Sequence, residues 1–379
     1  MKWVTMWGNA QSKVLPHPAY YAKDLTLRYP IFVPFDGEKI RVTLDNFCSN
    51  EDVIINKVAV SIGSKTGELQ ANNTYLTFNN SKEVKIKAHE SVISDELYYK
   101  VRSDEYLVVT MYLKEFTNLT SGVDIIGPLS KGYFAYGDQT DNVKLDLNTS
   151  KSTSWVYFLA NVDVYTSVEN EAIICYGDSI TSQDWPDYML LHLRDKGIKN
   201  VSVVRKAVSG TRILRQYECI TYQSYGLCGK NRFIHEVSSV SGAKKIIIQH
   251  GINDIIHPVG REVNIFRPMS DMPTLETLKE GIEYYISESS KLGLTPYIGT
   301  LLPIFGWRTY ALFREELKNQ FNDWLLTLDN VIDFGKEIGD LIENEWRFKD
   351  GCDSGDHLHP SKHAYSLMGK LASDKFRNI

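Results

Sequence analysis

One serine stands where the sequence could generate a nucleophile. Ser179 lies in the stretch 177–180, Gly-Asp-Ser-Ile, which follows the apolar run 172–176 and precedes a segment, 184–194, with the pattern of a helix. A short apolar, partly β-branched run that ends in glycine is typical of a buried strand, and open α/β sheets hold their ligands after such strands. The turn could therefore supply both an attacking hydroxyl and, from the Ser179 N–H, a donor to developing negative charge. These residue types are also common in ordinary turns, so the stretch alone leaves both interpretations open.

A carboxylate and an imidazole stand three residues apart near the far end of the chain. Asp356 and His359 lie in the stretch 356–360, Asp-His-Leu-His-Pro, which one tight turn could bring together. A serine hydroxyl becomes a useful nucleophile when a base takes its proton and a carboxylate orients that base, and the chain order serine, aspartate, histidine suits this arrangement. We interpret the additional imidazole, His357, as an exposed loop residue or a substrate contact. Two histidines beside an aspartate are also compatible with a metal site or a solvated loop.

Two further segments follow apolar runs that have the pattern of strands. The run 201–205 leads to Gly210, and the run 245–250 leads to Asn253. A glycine N–H and an asparagine NH₂ are donors of the kind that an acyl-transfer site places around its oxyanion. Each segment alone is typical of a turn or a helix cap. The four segments in this order predict a serine-based acyl-transfer site.

Together the four blocks resemble those of the SGNH, or GDSL, hydrolase superfamily, from roughly residue 172 to the C-terminus. The resemblance implies an α/β fold, namely a flavodoxin-like three-layer α/β/α domain with a parallel sheet. It implies Ser179 as the nucleophile, His359 as the general base and Asp356 as the residue that orients the base. The N–H groups of Ser179 and Gly210 and the side-chain amide of Asn253 would form the oxyanion hole.

Four further side chains are candidates for the substrate pocket: Asp178, Tyr222, His257 and Trp307. Asp178 precedes the nucleophile, whereas His257 and Trp307 follow predicted strands. Tyr222 belongs to segment 211–232, which has the features of an insertion or lid and carries two other tyrosines. For each of these side chains, ordinary packing is the alternative.

The elements that must position these residues do not account for the whole chain, because 379 residues are too many for one such α/β domain. Before residue 169 the sequence has short runs of alternating apolar and polar residues, among them 39–44, 83–87 and 106–113, separated by clusters of Asn, Ser, Gly and Asp. This pattern is typical of an antiparallel β-sandwich. We therefore expect a jelly-roll-like β-sandwich accessory domain at 1–168 and the hydrolase domain at 169–379.

Family members with an N-terminal β-sandwich include carbohydrate O-acetylesterases. The resemblance therefore favours a carboxylic ester hydrolase that removes O-acetyl or other short acyl groups from a small molecule or an oligosaccharide through an acyl-enzyme, without a metal or organic cofactor. A lysophospholipase or thioesterase acting on longer acyl chains is one alternative. A non-catalytic glycan-binding protein is another.

The composition limits the classes of binding partner that we expect. The net charge is −5, the sequence has no basic stripe for nucleic acid, and no apolar run approaches the length that spans a bilayer. No secretory signal peptide is visible, and the five cysteines are scattered without metal-ligand spacing. We therefore expect a cytoplasmic location with reduced thiols and neither a nucleic-acid nor a membrane partner. The sequence leaves open whether the chain forms a homo-oligomer.

Overall fold

The computed structural model describes residues 1–13, 21–146, 148 and 150–376, and the chain forms two compact units. Unit 1 consists of Met1–Ala172, Lys199–Val204 and Val240–Gly242. Unit 2 consists of Ile173–Ile198, Arg205–Ser239 and Ala243–Ile379. All residues of the expected catalytic and oxyanion set belong to unit 2.

Unit 1 is built from short strands in its described part. They are β1 (Lys2–Gly8), β2 (Ser12–Lys13), β3 (Tyr21–Ala22), β4 (Leu25–Phe32), β5 (Gly37–Asp45), β6 (Val53–Ile55), β7 (Lys57–Gly63), β8 (Thr74–Tyr75), β9 (Val84–Ile86), β10 (Ser91–Ile93), β11 (Leu97–Val101), β12 (Tyr106–Leu113), β13 (Thr117–Asn118), β14 (Ser121–Asp124), β15 (Gly132–Tyr136), β16 (Lys151–Thr153), β17 (Trp155–Tyr157) and β18 (Leu159–Thr166).

Most of these strands belong to two antiparallel sheets. A five-stranded sheet has the order β1-β18-β5-β10, with β11 also paired to β5, and a six-stranded sheet has the order β16-β15-β4-β12-β7-β8. Smaller sheets pair β13 with β3, β6 with β9, and β14 with both β17 and β2. The strand β12 lies between β4 and β7, and every residue of it after Tyr106 is buried. Strands thus form at 39–44, 83–87 and 106–113, where the alternating runs predicted them, but β12 is covered on both faces.

Unit 2 alternates strands and helices. Its strands are β19 (Glu171–Gly177), β20 (Val201–Ala207), β21 (Ala243–Gln249), β22 (Thr295–Gly299), β23 (Val331–Ile332), β24 (Gly339–Ile342) and β25 (Glu345–Phe348), of which β19 and β20 begin with residues that group with unit 1. Its helices are α1 (Ser179–Ser182), α2 (Trp185–Asp195), α3 (Gly229–Ser238), α4 (Ile252–Ile256), α5 (Leu275–Lys291), α6 (Leu312–Leu325), α7 (Phe334–Ile338) and α8 (Lys362–Asp374). Short 3₁₀ helices lie at Ile220–Tyr225 and Met269–Asp271.

One five-stranded sheet, in the order β20-β19-β21-β22-β23, forms the frame of this α/β fold. The pairs β21–β22 and β22–β23 are parallel. The N–H of Val208, just after β20, donates to the Gly177 carbonyl at the end of β19 (3.2 Å). A methyl group added at Gly177 would overlap the carbonyl oxygen of Gln249, the last residue of β21. The carboxyl ends of these three strands therefore meet at one edge, where such sheets hold their ligands.

A close contact between α2 and α8 brings the end of the chain to the same edge. A methyl group added at Gly369 of α8 would lie 2.6–2.9 Å from atoms of Trp185, Tyr188 and Met189 in α2, so only glycine allows this approach. Ser361 caps the start of α8 by accepting from the Ala364 N–H. The loop before α8 is thereby held near α2 and the turn that precedes it. Among the described residues, no helix combines the length and apolar character needed to cross a membrane.

Candidate active site

The turn after β19 presents Ser179 at the start of a helix. Asp178 is the N-cap of α1, and its Oδ1 accepts from the Ile180 N–H (3.0 Å). The first N–H groups of a helix have no intrahelical acceptor and lie at the positive end of its dipole. Ser179 is the first residue of α1 and is half-buried, so its N–H is one of these first helical N–H groups.

Three side chains from the two ends of unit 2 form a hydrogen-bonded relay. Ser179 Oγ lies 2.9 Å from Nε2 of His359. Nδ1 of the same ring lies 2.6 Å from Oδ2 of Asp356. Ser179 and His359 are 180 positions apart along the chain. The serine, imidazole and carboxylate thus have the geometry in which a base can remove the serine proton.

The Asp356 carboxylate is oriented by its own turn. Its Oδ1 accepts from the N–H groups of Leu358 (3.0 Å) and His359 (2.8 Å), which leaves Oδ2 facing the imidazole. Partial burial alone would raise the pKa of Asp356, but hydrogen bonds from the His359 ring and from these N–H groups outweigh it and lower the pKa to about 2. Asp356 is therefore ionised at neutral pH. It assigns the ring proton to Nδ1 and leaves Nε2 as the acceptor toward Ser179.

The glycine and asparagine segments reach the same place. Ser182 Oγ lies 3.1 Å from the Ser179 carbonyl and 2.9 Å from Oγ of Ser209, the residue before Gly210. Gly210 has a φ of +79°, a conformation that favours glycine. Asn253 is buried, and its Nδ2 donates to the carbonyl of Thr211 (3.0 Å), the residue after Gly210. An asparagine amide has two protons, so one of them remains for a further acceptor.

Asp178, one of the four pocket candidates, directly precedes Ser179 and is inaccessible to a substrate. It is 0% exposed, and its Oδ2 has no hydrogen-bond partner among the described residues. Burial raises its pKa to about 7, despite the opposing hydrogen bond from the Ile180 N–H. Asp178 therefore acts in this structure as a helix cap rather than as a lining side chain.

The other three candidates are aromatic and lie around the relay and the glycine segment. The ring of Trp307 is edge-on to His359, at 6.5 Å between centroids and an interplanar angle of 88°. The rings of Tyr222 and His257 each stack on Tyr225, at 5.5 and 5.4 Å. Burial lowers the pKa of His257 well below its ordinary value, and the charges of nearby arginines lower it further. His257 is thus neutral and packs as an aromatic ring.

The imidazole of His357 belongs to a separate pair. Its Nδ1 lies 2.6 Å from Oδ2 of Asp353, and its side chain is 53% exposed. A methyl group added at Gly306 would come within 2.9 Å of its ring, so His357 lies against the loop before Trp307. Within the described chain no hydrogen bond joins His357 to Ser179. The two histidines of the stretch 356–360 therefore have different surroundings.

Arg232 of α3 is a positioning residue that sequence reasoning missed. It is buried, and its guanidinium donates to the carbonyls of Gly177 (2.6 Å) and Lys206 (3.3 Å), near the ends of β19 and β20. It also forms a buried ion pair with Glu236. No local signal marks this role, because Arg232 follows Gly177 by 55 residues in a segment with an ordinary helical pattern. In the part of the chain that the structure describes, no group of three or more His, Cys, Asp or Glu side chains could hold a metal ion.

Comparisons with known proteins identify the family of the chain. The family model described as GDSL-like Lipase/Acylhydrolase matches residues 152–372, which is more than half of the chain. Among solved structures, a GDSL-like lipase from Bacteroides thetaiotaomicron is similar at 15% identity over 56% of this chain and 91% of its own, with a TM-score of 0.40. An acetylxylan esterase from Geobacillus stearothermophilus is similar at 15% identity over 56% of this chain and 97% of its own, with a TM-score of 0.39. No curated protein matches the chain. From the extent of the family match, the chain belongs to the GDSL-like lipase/acylhydrolase family of ester hydrolases.

Proposed function

We propose that this protein is a serine esterase that hydrolyses short-chain acyl esters, above all O-acetyl groups on a carbohydrate. The observation that carries the proposal is the relay from Ser179 Oγ through His359 to Asp356, with hydrogen bonds of 2.9 and 2.6 Å. A hydroxyl, an imidazole and an ionised carboxylate in this order can perform nucleophilic acyl transfer.

The mechanism follows from where protons can go. The ester carbonyl oxygen would lie among the N–H groups of Ser179 and Gly210 and the Asn253 amide. His359 Nε2 takes the Ser179 proton as Oγ attacks the carbonyl carbon, and these donors stabilise the oxyanion. The imidazolium, stabilised by Asp356, then protonates the departing alcohol and leaves an acyl-enzyme. Water, activated in turn by His359, hydrolyses the acyl-enzyme and restores Ser179.

The carbohydrate part of the proposal depends on the aromatic side chains near the relay. The alcohol must leave beside His359, because that imidazole protonates it, and Trp307 lies edge-on to the same ring. The half-buried indole can offer an apolar ring surface to a polar ring compound, whereas its Nε1 atom is buried. We further propose that the sheets of unit 1 form the accessory β-sandwich and that unit 2 has the flavodoxin-like three-layer arrangement.

A second candidate, a lysophospholipase or thioesterase for longer acyl chains, is favoured by one surface. The segment that follows α4 exposes Val263 (71%), Ile265 (68%), Phe266 (43%) and Met269 (41%). It is joined to Tyr222 by a hydrogen bond from Asn264 Nδ2 (2.8 Å). A patch of exposed apolar groups can contact an acyl chain.

Hydrolysis of p-nitrophenyl acetate, butyrate and octanoate by the full chain tests both candidates. We expect the highest kcat/KM with acetate and a loss of nearly all activity in Ser179→Ala. Ser290→Ala, an exposed serine of α5, is the matched control and should keep the activity of the parent. An octanoate optimum would favour the second candidate. Equal rates for the parent and Ser179→Ala would contradict both candidates, and rates that are negligible in both proteins would revive a non-catalytic glycan-binding role.

A further inference from the structure

Four rings form a continuous cluster, here called the aromatic wall: Tyr217, Tyr222, Tyr225 and His257. Tyr225 is central to it, since its ring stacks on His257 (5.4 Å, 26°) and on Tyr222 (5.5 Å, 29°). Tyr217 lies 4.7 Å from Tyr222 and 5.8 Å from Tyr225. The wall combines Tyr217 and the 3₁₀ helix Ile220–Tyr225, both from segment 211–232, with His257, the residue that follows α4.

The wall contacts both segments that carry proposed oxyanion donors, namely the segment of Gly210 and the segment of Asn253. A methyl group added at Gly210 would overlap the ring of Tyr225, so this ring lies in direct contact with the Gly210 backbone. His257 is one helical turn after Asn253, and its N–H donates to the Asn253 carbonyl (3.1 Å). The wall thus borders the oxyanion donors on the surface that Tyr225 covers.

The directions around the reacting carbon decide what faces this surface. In the tetrahedral intermediate that carbon carries Ser179 Oγ, the oxyanion, the alcohol oxygen and the acyl substituent. The alcohol oxygen must lie near His359, because this ring protonates it, and the oxyanion lies among its donors. The acyl substituent takes the remaining direction, which leads away from His359.

We infer that Tyr225, backed by His257, closes the acyl side of the site and limits the substrate to acetyl or other very short acyl esters. This inference deepens the proposed esterase function and rests on it. The ring is well supported for such a role, because the Tyr222 hydroxyl is tied to Asn264 and the Arg212 guanidinium lies 4.3 Å from the Tyr217 ring centroid. A supported ring resists displacement by a longer chain, whereas an isolated loop side chain would move aside.

The test compares acyl-chain preference in four proteins: the parent, Tyr225→Ala, Tyr225→Leu and Tyr225→Phe. Each additional methylene that gains room in an apolar pocket changes kcat/KM by about tenfold or more. We therefore expect Tyr225→Ala to raise the octanoate-to-acetate ratio of kcat/KM at least about tenfold, and Tyr225→Leu to raise it less. Tyr225→Phe keeps the ring and should keep the ratio of the parent.

Two controls separate the inference from its alternatives. Tyr284→Ala removes a half-buried tyrosine of unit 2 outside the wall and should leave the ratio unchanged. An unchanged octanoate-to-acetate ratio in both Tyr225→Ala and Tyr225→Leu would overturn the inference. If kcat/KM also fell equally for every acyl chain, the ring would contact the alcohol instead. Activity of the parent that survives in Ser179→Ala would instead contradict the proposed function itself.

Discussion

Replacing Asp356 by asparagine tests how the relay works, because the structure dictates how the new amide would lie. Oδ1 of Asp356 accepts two backbone N–H groups, from Leu358 and His359, and an amide NH₂ cannot accept them. The asparagine oxygen should therefore remain at Oδ1 and turn the NH₂ toward Nδ1 of His359. That ring nitrogen must then accept, so the ring proton moves to Nε2 and the base can no longer take a proton from Ser179.

The expected loss is large, since the wrong tautomer of a catalytic histidine lowers kcat by roughly 10³- to 10⁴-fold, or about 4 to 5.5 kcal/mol of transition-state stabilisation. The assay is kcat for p-nitrophenyl acetate between pH 5 and 9. The pKa of Asp356 is about 2, so its own ionisation does not enter this range. Thermal unfolding should shift to a somewhat lower temperature, because a carboxylate whose pKa is lowered in the fold stabilises it at neutral pH and the neutral amide does not, although both backbone hydrogen bonds to Oδ1 survive.

Asp353→Asn is the matched control, since Asp353 forms an equally short contact with the neighbouring His357 (2.6 Å). That pair has no hydrogen bond to Ser179 in the described chain, so we expect kcat within a fewfold of the parent. If Asp356→Asn loses less than tenfold, another acceptor orients His359 and the reasoning is refuted. A large loss in Asp353→Asn would show that the catalytic imidazole has been misidentified.

Three further predictions concern the groups that hold the site. Gly210→Ala should lower the free energy of unfolding by roughly 2–4 kcal/mol, because Gly210 has a φ of +79° and an added methyl group would overlap the ring of Tyr225. In urea unfolding, the double variant with Tyr225→Ala should recover the part that is due to overlap, and strictly additive effects would contradict this contact. The Asp178→Asn variant keeps the helix cap and is neutral at every pH. In the parent, the pKa of Asp178 is raised from 3.8 to about 7, so the stability that protonated Asp178 contributes is present below pH 4 and is lost as the pH rises through 7. The free energy of unfolding of this variant relative to the parent should therefore rise by about 1.4 kcal/mol per pH unit from pH 4 to 7 and then level off, and a pH-independent difference would count against a buried, neutral Asp178. Arg232→Met should cost about 3–5 kcal/mol by leaving Glu236 buried and unpaired, and adding Glu236→Gln should restore part of that loss in the same urea assay; no recovery would exclude the buried ion pair as the cause.

Local pattern predicted those parts of the site that depend on strand ends and short spacing. A β-branched run ending in glycine placed Ser179 after β19, and the three-residue spacing of Asp356 and His359 corresponds to a turn in which the carboxylate accepts both the ring and the backbone N–H. The strands β20 and β21 likewise end shortly before Gly210 and Asn253. These features follow from residues close together in sequence.

The remaining features depend on contacts between distant residues, which one sequence does not reveal. Asp178 follows a strand and looked accessible, but its burial results from elements packed around the turn. Arg232 contacts the Gly177 carbonyl although 55 residues separate them, and Tyr225 contacts Gly210 only because segment 211–232 folds back. The segment 199–204 groups with unit 1 although it begins a strand of the five-stranded sheet, so no single boundary along the chain separates the two units.

Covalent labelling of the full chain by a serine-directed phosphonate tests the central claim most directly, with the site of modification identified by peptide mass spectrometry. The relay predicts one phosphonate per chain, attached to Ser179, no adduct in Ser179→Ala and much slower labelling in His359→Ala. An unlabelled parent chain, or an adduct that persists in Ser179→Ala, would contradict the assignment of Ser179 as the nucleophile.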